Sequence, residues 1–191
     1  MCFQVGFSTA DKYLDVFLAF LDFARRQVAS DTDIANREDG RSFLQDFRDA
    51  ARQCVDYLDQ TFPTFRDTHL KLPAYWARTE AKVFKDIAVA RQIFEEFCTK
   101  KGYASMANVW ECYVDLEREL GNVNAARALF KRCFSRRLTL ANGQEAGEHM
   151  CERWLRFERE EGSALDYKNA ADKIAPKIGD LKRRREQAVS Y

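Results

Sequence analysis

Helix breakers are scarce in this chain: 8 Gly and 3 Pro among 191 residues. A sandwich or barrel needs a turn every ten residues or so and is excluded on that ground. Charge of one sign is missing too. Lys plus Arg number 31 against 30 Asp plus Glu, so the whole chain lacks the basic surplus of a generic polyanion binder. No long apolar run occurs. The most apolar early stretch, 13–23, is broken by Asp15 and Asp22 and is too short to span a bilayer, so no membrane partner is expected. No basic segment precedes it, which argues against a signal peptide. The six cysteines (Cys2, Cys54, Cys98, Cys112, Cys133 and Cys151) form no C-x-x-C pair. They read as buried free thiols of an intracellular protein.

Catalytic chemistry is equally thin. The two histidines, His69 and His149, stand outside any metal-ligand spacing and read as surface residues. No Walker loop, G-x-S-x-G or G-x-G-x-x-G is present. Cys112 beside Glu111 and Asp115 has no nearby histidine to activate it. The expectation is a non-enzyme with no cofactor and no metal.

What the chain does contain is a repeat. Trp76, Tyr113 and Trp154 lie 37 and 41 residues apart, and each stands four residues before a glutamate: Glu80, Glu117 and Glu158. A capping-type residue follows (Asp86, Asn122, Ser163), then a base five residues further on (Arg91, Arg127, Lys168). One block therefore reads as a helix, a tight turn and a second helix. Aromatic and Glu share one face of the first helix. Gly121 and Gly162 suit a left-handed helix end, with Lys85 in that place in the first block. Asp86, Asn122 and Ser163 are expected to cap the next helix with their side chains, and Ala90 and Ala126 to let the two helices approach. Each Glu is expected to pair with the base of the following helix (Arg91, Arg127 or Lys168) or with a neighbouring turn. A lone pair cannot bury its apolar face, so pairs must stack.

A degenerate further unit precedes these blocks. Ser8 to Asp11 offers a capping box, and Phe17 and Phe20 keep the spacing of Trp110 and Tyr113, with Ala24 at the Glu position. A polar stretch over 30–41 leads to a helix carrying Phe43, Phe47, Ala50, Ala51, Cys54 and Leu58 at spacings of three and four. Connectors are expected at 61–73 and, as a longer loop, at 138–148. From Lys168 onward the helical pattern weakens around Pro176 and Gly179. The basic run Lys182, Arg183, Arg184, Arg185 reads either as a nuclear-import or RNA contact or as a solvated helix end. Phe65, Tyr75, Tyr103 and Phe134 fall near helix ends, as packing at repeat junctions or as interface anchors.

The series Trp110, Tyr113, Glu117, Gly121, followed by Ala126 and Arg127, resembles the half-a-TPR (HAT) repeat of RNA-processing scaffolds. Trp110 has no aromatic counterpart in the other blocks, where Pro73 and Cys151 stand. Nearly the whole chain is similar to the C-terminal HAT region of the U4/U6 snRNP recycling factors. That likeness is carried by Asp11 to Leu14 and on to Arg25-Arg26, by Trp76 to Arg78 with Glu80-Ala81, and by Cys151-Glu152 on to Ser163. The resemblance implies an all-α, right-handed superhelical array of antiparallel helix pairs, a HAT/TPR-like solenoid. About four pairs would form one domain over 1–181, with 182–191 beginning a linker or terminal helix. It implies a nuclear scaffold in pre-mRNA splicing that homodimerises, docks U4/U6 snRNP proteins and recruits a ubiquitin-specific protease. RNA recognition motifs follow the array in that family and are absent here, so the chain reads as a fragment and RNA annealing is expected of the missing part. A HAT scaffold of polyadenylation or ribosome biogenesis, or direct RNA binding through the basic run, stands as an alternative. The repeat signature comprises Trp76, Glu80, Arg91, Trp110, Tyr113, Glu117, Gly121, Arg127, Trp154, Glu158 and Gly162. Met150, Trp154, Leu155 and Phe157 are the candidate dimer contacts, on the ground that a terminal repeat without a polar cap needs a partner.

Overall fold

The computed structural model describes residues 6–30 and 43–189; Cys2 and most of the polar stretch at 30–41 lie outside them. Eight helices are present among the described residues, and the only extended pairing is a pair of isolated bridges at Thr139, to Met106 and to Glu145. The chain forms two compact units, Met1–Glu95 and Glu96–Tyr191.

In the first unit α1 (Ala10–Ser30) packs along α2 (Phe43–Thr61). Tyr13 is the centre of an aromatic cluster, with ring centroids 5.1 Å from Tyr57, 5.6 Å from Phe62 and 5.3 Å from Phe7. Leu21, Phe47, Ala51 and Cys54 are fully buried at the three-and-four spacing expected of α2 and its neighbour. Burial pushes the Cys54 thiol up to about 12, so it packs as a small hydrophobe rather than a nucleophile.

The connector after α2 does more than link. Leu70 takes a left-handed conformation (φ 52°), and Asp67, buried, accepts a hydrogen bond from the Leu72 amide at 2.9 Å. That carboxylate ties off the start of α3 (Lys71–Lys82), a cap the sequence reading missed. Tyr75 on α3 donates to Asp22 on α1, and Arg25 contacts both, joining the third helix to the first. The turn into α4 (Ile87–Thr99) passes through Lys85 at φ 61°.

The second unit holds α5 (Ala107–Glu119), α6 (Val123–Phe134), α7 (Gly147–Glu161) and α8 (Ala164–Val189). The α5–α6 turn uses Gly121 at φ 74°, the left-handed position expected for it. Asn122 at the start of α6 makes no side-chain cap; only its carbonyl accepts, from Ala126. Ser163 does cap, in a reciprocal box with Asp166: Asp166 N–H donates to Oγ at 3.1 Å and Ser163 N–H to the carboxylate at 3.0 Å. Asp86 likewise accepts from the Val89 amide at the start of α4.

The segment at 138–146 is a loop, two residues shorter than expected because α7 starts at Gly147, and it is held to the lead-in of α5 by Ala107 N–H to Thr139 O and Thr139 N–H to Ser105 O. The weakening expected around Pro176 does not occur. Helix α8 continues for 26 residues through Pro176 and Gly179, and Ile174 and Ala170 bury its inner face.

Candidate protein-interaction site

Glu80, Glu117 and Glu158 are all buried. A buried carboxylate is tolerated only when paired and hydrogen-bonded. For two of them the pairing is fully visible, and it follows one plan. Trp76 Nε1 donates to Glu80 Oε1 at 3.1 Å, and Trp154 Nε1 donates to Glu158 Oε1 at 3.0 Å. This is why the aromatic stands four residues before the glutamate: one helical turn places the indole N–H beside the carboxylate.

An arginine then grips each carboxylate with two parallel bonds. Arg48 reaches Glu80 at 3.0 and 2.7 Å, and Arg127 reaches Glu158 at 2.7 and 2.8 Å. Each arginine also bonds the Asp at the start of the next helix, Arg48 to Asp86 at 2.8 Å and Arg127 to Asp166 at 3.3 Å. Glu80 is the main cause holding the Arg48 guanidinium's pKa above its usual value, and Glu158 does the same for Arg127. Asp86 is held below the usual carboxylate range, first by the Val89 amide and then by Arg48. Asp166 is lowered first by the Ser163 amide and hydroxyl.

The pairing direction corrects the sequence reading. Glu158 pairs with Arg127, 31 residues earlier, and not with Lys168, which is exposed. Glu80 pairs with Arg48, 32 residues earlier, in the helix before its own. Arg48 carries no signal in the sequence, because its helix pair, α1 and α2, lacks the aromatic–Glu signature. The role of Gly162 is also corrected. Its φ is −92°, so no left-handed conformation is needed. A Cβ there would stand 2.5 Å from Glu158 Oε2 and 2.7 Å from Glu158 O. Glycine is required so that the carboxylate can fold back against the turn.

The candidate dimer contacts are redistributed as well. Met150, Trp154 and Phe157 are buried inside their own unit, where Trp154 stacks on Phe130 at 6.2 Å and Phe157 lies 5.3 Å from it. These three are core rather than surface; Leu155 alone of the four stays half-exposed. Tyr103 is buried against Phe97, and Phe134 packs edge-on against Trp154, so both serve packing. Trp110 is fully buried and donates to Ala104 O at 3.3 Å.

The surface that remains is charged. On the α5–α7 side His149 contacts Glu111, Arg153 bonds Asp115 at 2.8 Å, and Arg118 bonds Glu161 at 2.5 Å and Glu160 at 2.8 Å. Lys182, Arg183, Arg184 and Arg185 are exposed in the last turns of α8, with Arg183 on Asp180 and Arg185 on Glu148. A cavity of about 580 Å³ opens there, between Gln144, Glu145 and Glu148 on one side and Leu181, Arg184 and Arg185 on the other. Among the described residues five cysteines are free, four of them buried. Among the described residues no group of three or more His, Cys, Asp or Glu is placed to hold a metal ion. No helix there is long and apolar enough to cross a membrane.

Helix pairs joined by tight turns, with clusters of a buried Trp and Glu held by an Arg and an Asp, define an all-α helical-repeat protein. No protein-family model matches the chain. It is similar to the spliceosome associated factor 3, U4/U6 recycling protein of Homo sapiens, 29% identical over 190 residues and 97% of this chain. The protein of the same name from Danio rerio is 31% identical over 179 residues, or 92% of the chain, and that from Mus musculus 28% over 190. The chain spans about 18% of the length of these relatives.

Proposed function

We propose that this chain is a non-enzymatic protein-interaction scaffold acting in pre-mRNA splicing, in the nucleus. The observation that carries this reading is the likeness over 97% of the chain to proteins whose name ties them to the spliceosome and to U4/U6 recycling. The chemistry agrees with it. The buried polar groups are spent on holding helices, in Trp76–Glu80–Arg48 and Trp154–Glu158–Arg127, which leaves the helix surfaces for binding. The docking partners proposed are U4/U6 snRNP proteins and a ubiquitin-specific protease, with the chain acting as a homodimer.

Affinity capture from nuclear extract tests the partners. U4/U6 snRNP proteins on the wild-type chain support the reading, and polyadenylation factors in their place would move the chain to another RNA-processing scaffold. Light scattering over a dilution series tests the dimer. A mass twice the 22.2 kDa of one chain supports it, and a stable single-chain mass removes it. Since Leu155 is the half-exposed member of its set, Leu155→Glu is the variant to carry through both assays.

A further inference from the structure

The sequence placed its basic segment at 182–185, yet the structure gathers a second set of cations elsewhere in the same unit. Lys131, Arg132, Arg136 and Arg137 are exposed around the end of α6, and Lys173 is exposed on α8. Lys173 and Lys177 lie over the Phe134 ring at 5.5 and 4.3 Å, and Lys177 also donates to the Phe134 carbonyl. Arg132 and Arg136 lie over Trp110 at 5.4 and 4.9 Å. Arg136, Phe134 and Lys177 line one small cavity, which joins the α6 and α8 members into a single patch.

The patch differs from the rest of the unit's surface. Arg118, Arg127, Arg153, Arg183 and Arg185 are all engaged by carboxylates. Lys131, Arg136, Arg137 and Lys173 make no salt bridge among the described residues. Asp166, the acid that feels Lys131, is already committed to Arg127 and Ser163. These four cations, held close together without a carboxylate bound to them, repel one another, and a bound polyanion relieves that repulsion. On α8, Lys173, Lys177 and Arg184 fall on one helical stripe at spacings of four and seven, so the patch continues toward the basic run.

We propose that this patch binds the sugar–phosphate backbone of a single-stranded nucleic acid without reading its bases. Arginine forks and lysine ammoniums suit phosphate oxygens. Base stacking is excluded at Trp110, which is buried beneath its arginines. The exposed large hydrophobic of this unit among the described residues, Leu165, stands at the start of α8, more than two helical turns before Lys173. An amphipathic acidic peptide or a lipid surface therefore finds no apolar anchor there. This surface is independent of protein docking, so it stands or falls separately from the scaffold reading.

The test is fluorescence anisotropy of a labelled oligouridine against the 191-residue chain over a salt series. The comparison variant combines Lys131→Gln, Arg136→Gln, Arg137→Gln and Lys173→Gln. The control combines Arg156→Gln and Lys168→Gln, exposed bases outside the patch. Binding of the wild type is expected to fall steeply with salt. The quadruple variant is expected to bind about tenfold or more weaker, with the log–log salt slope shallower by about 3, four contacts at roughly 0.7 each. The control is expected to match the wild type. Circular dichroism checks folding, and if the quadruple loses helicity, the two double variants are read instead, each with about half the slope change. No binding by the wild type, equal binding by the variants, or equal competition by polyglutamate of matched charge would each overturn the proposal.

Discussion

The two units solve the same problem with the same side chains and finish it differently. In each, a tryptophan, a buried glutamate, an arginine from the preceding helix and an aspartate at the next helix start close into one cluster. In the first unit the turn beside the cluster passes through Lys85, left-handed at φ 61°, where a side chain is strained. In the second, Gly162 keeps an ordinary extended backbone and is needed because Glu158 lies against it. The first cluster is also more open at its arginine, whose side chain is 24% exposed against 15% for Arg127. The recurring element of this repeat is thus the charge cluster, while the turn is free to vary around it.

The largest effect that can break the comparison is removal of one partner. Arg127→Ala leaves Glu158 buried without its counter-charge and is expected to cost about 3–5 kcal/mol in chemical denaturation. Arg48→Ala is expected to cost less, since water reaches that site more readily. Equal costs would mean that exposure does not set the difference. Next in size is Gly162→Ala, expected to destabilise by about 1–3 kcal/mol through the clash with the Glu158 carboxylate. Gly121→Ala would act through its positive φ instead, since nothing lies within 4 Å of a Cβ there.

Smaller still is Lys85→Gly, which is expected to stabilise the first unit by about 1 kcal/mol by relieving the left-handed conformation. A fall in melting temperature would show that the Lys85 side chain contributes more than its backbone costs. The smallest is a pH effect. Asp86 and Asp166 have folded-state pKa values below the ordinary range, so they add stability above the unfolded value that is lost as pH falls through the folded one. Melting temperature is expected to decline below about pH 4, and Asp166→Asn to flatten part of that decline. An unchanged acid limb in that variant would remove Asp166 from the cluster's energetics.

The helix pairs were legible because aromatic, glutamate, turn residue and base recur in register, and the tight turns at Gly121 and Lys85 fell where the register put them. The pairing of charges was not legible. Spacing along the chain places Glu158 as near to Lys168 as a repeat reader can judge, whereas the fold carries Arg127 back to it across 31 residues. Arg48 was hidden because its own helix pair, α1 and α2, lacks the aromatic–Glu signature. Asp67 was hidden because it caps α3 from within an irregular connector. The apolar residues of α7 were read as surface because a sequence shows an amphipathic face without showing that the unit's own Phe130 and Phe134 already cover it.

Glu80 and Glu158 are each held by an arginine of the helix before their own rather than by a base of the helix after it. A double-mutant cycle between Arg127 and Glu158, run beside one between Lys168 and Glu158 in the same denaturant assay, tests this most directly. A coupling above about 1.5 kcal/mol is expected for the first pair, as for hydrogen bonds to charged groups, and none beyond error for the second. A substantial coupling of Glu158 to Lys168, with none to Arg127, would contradict it.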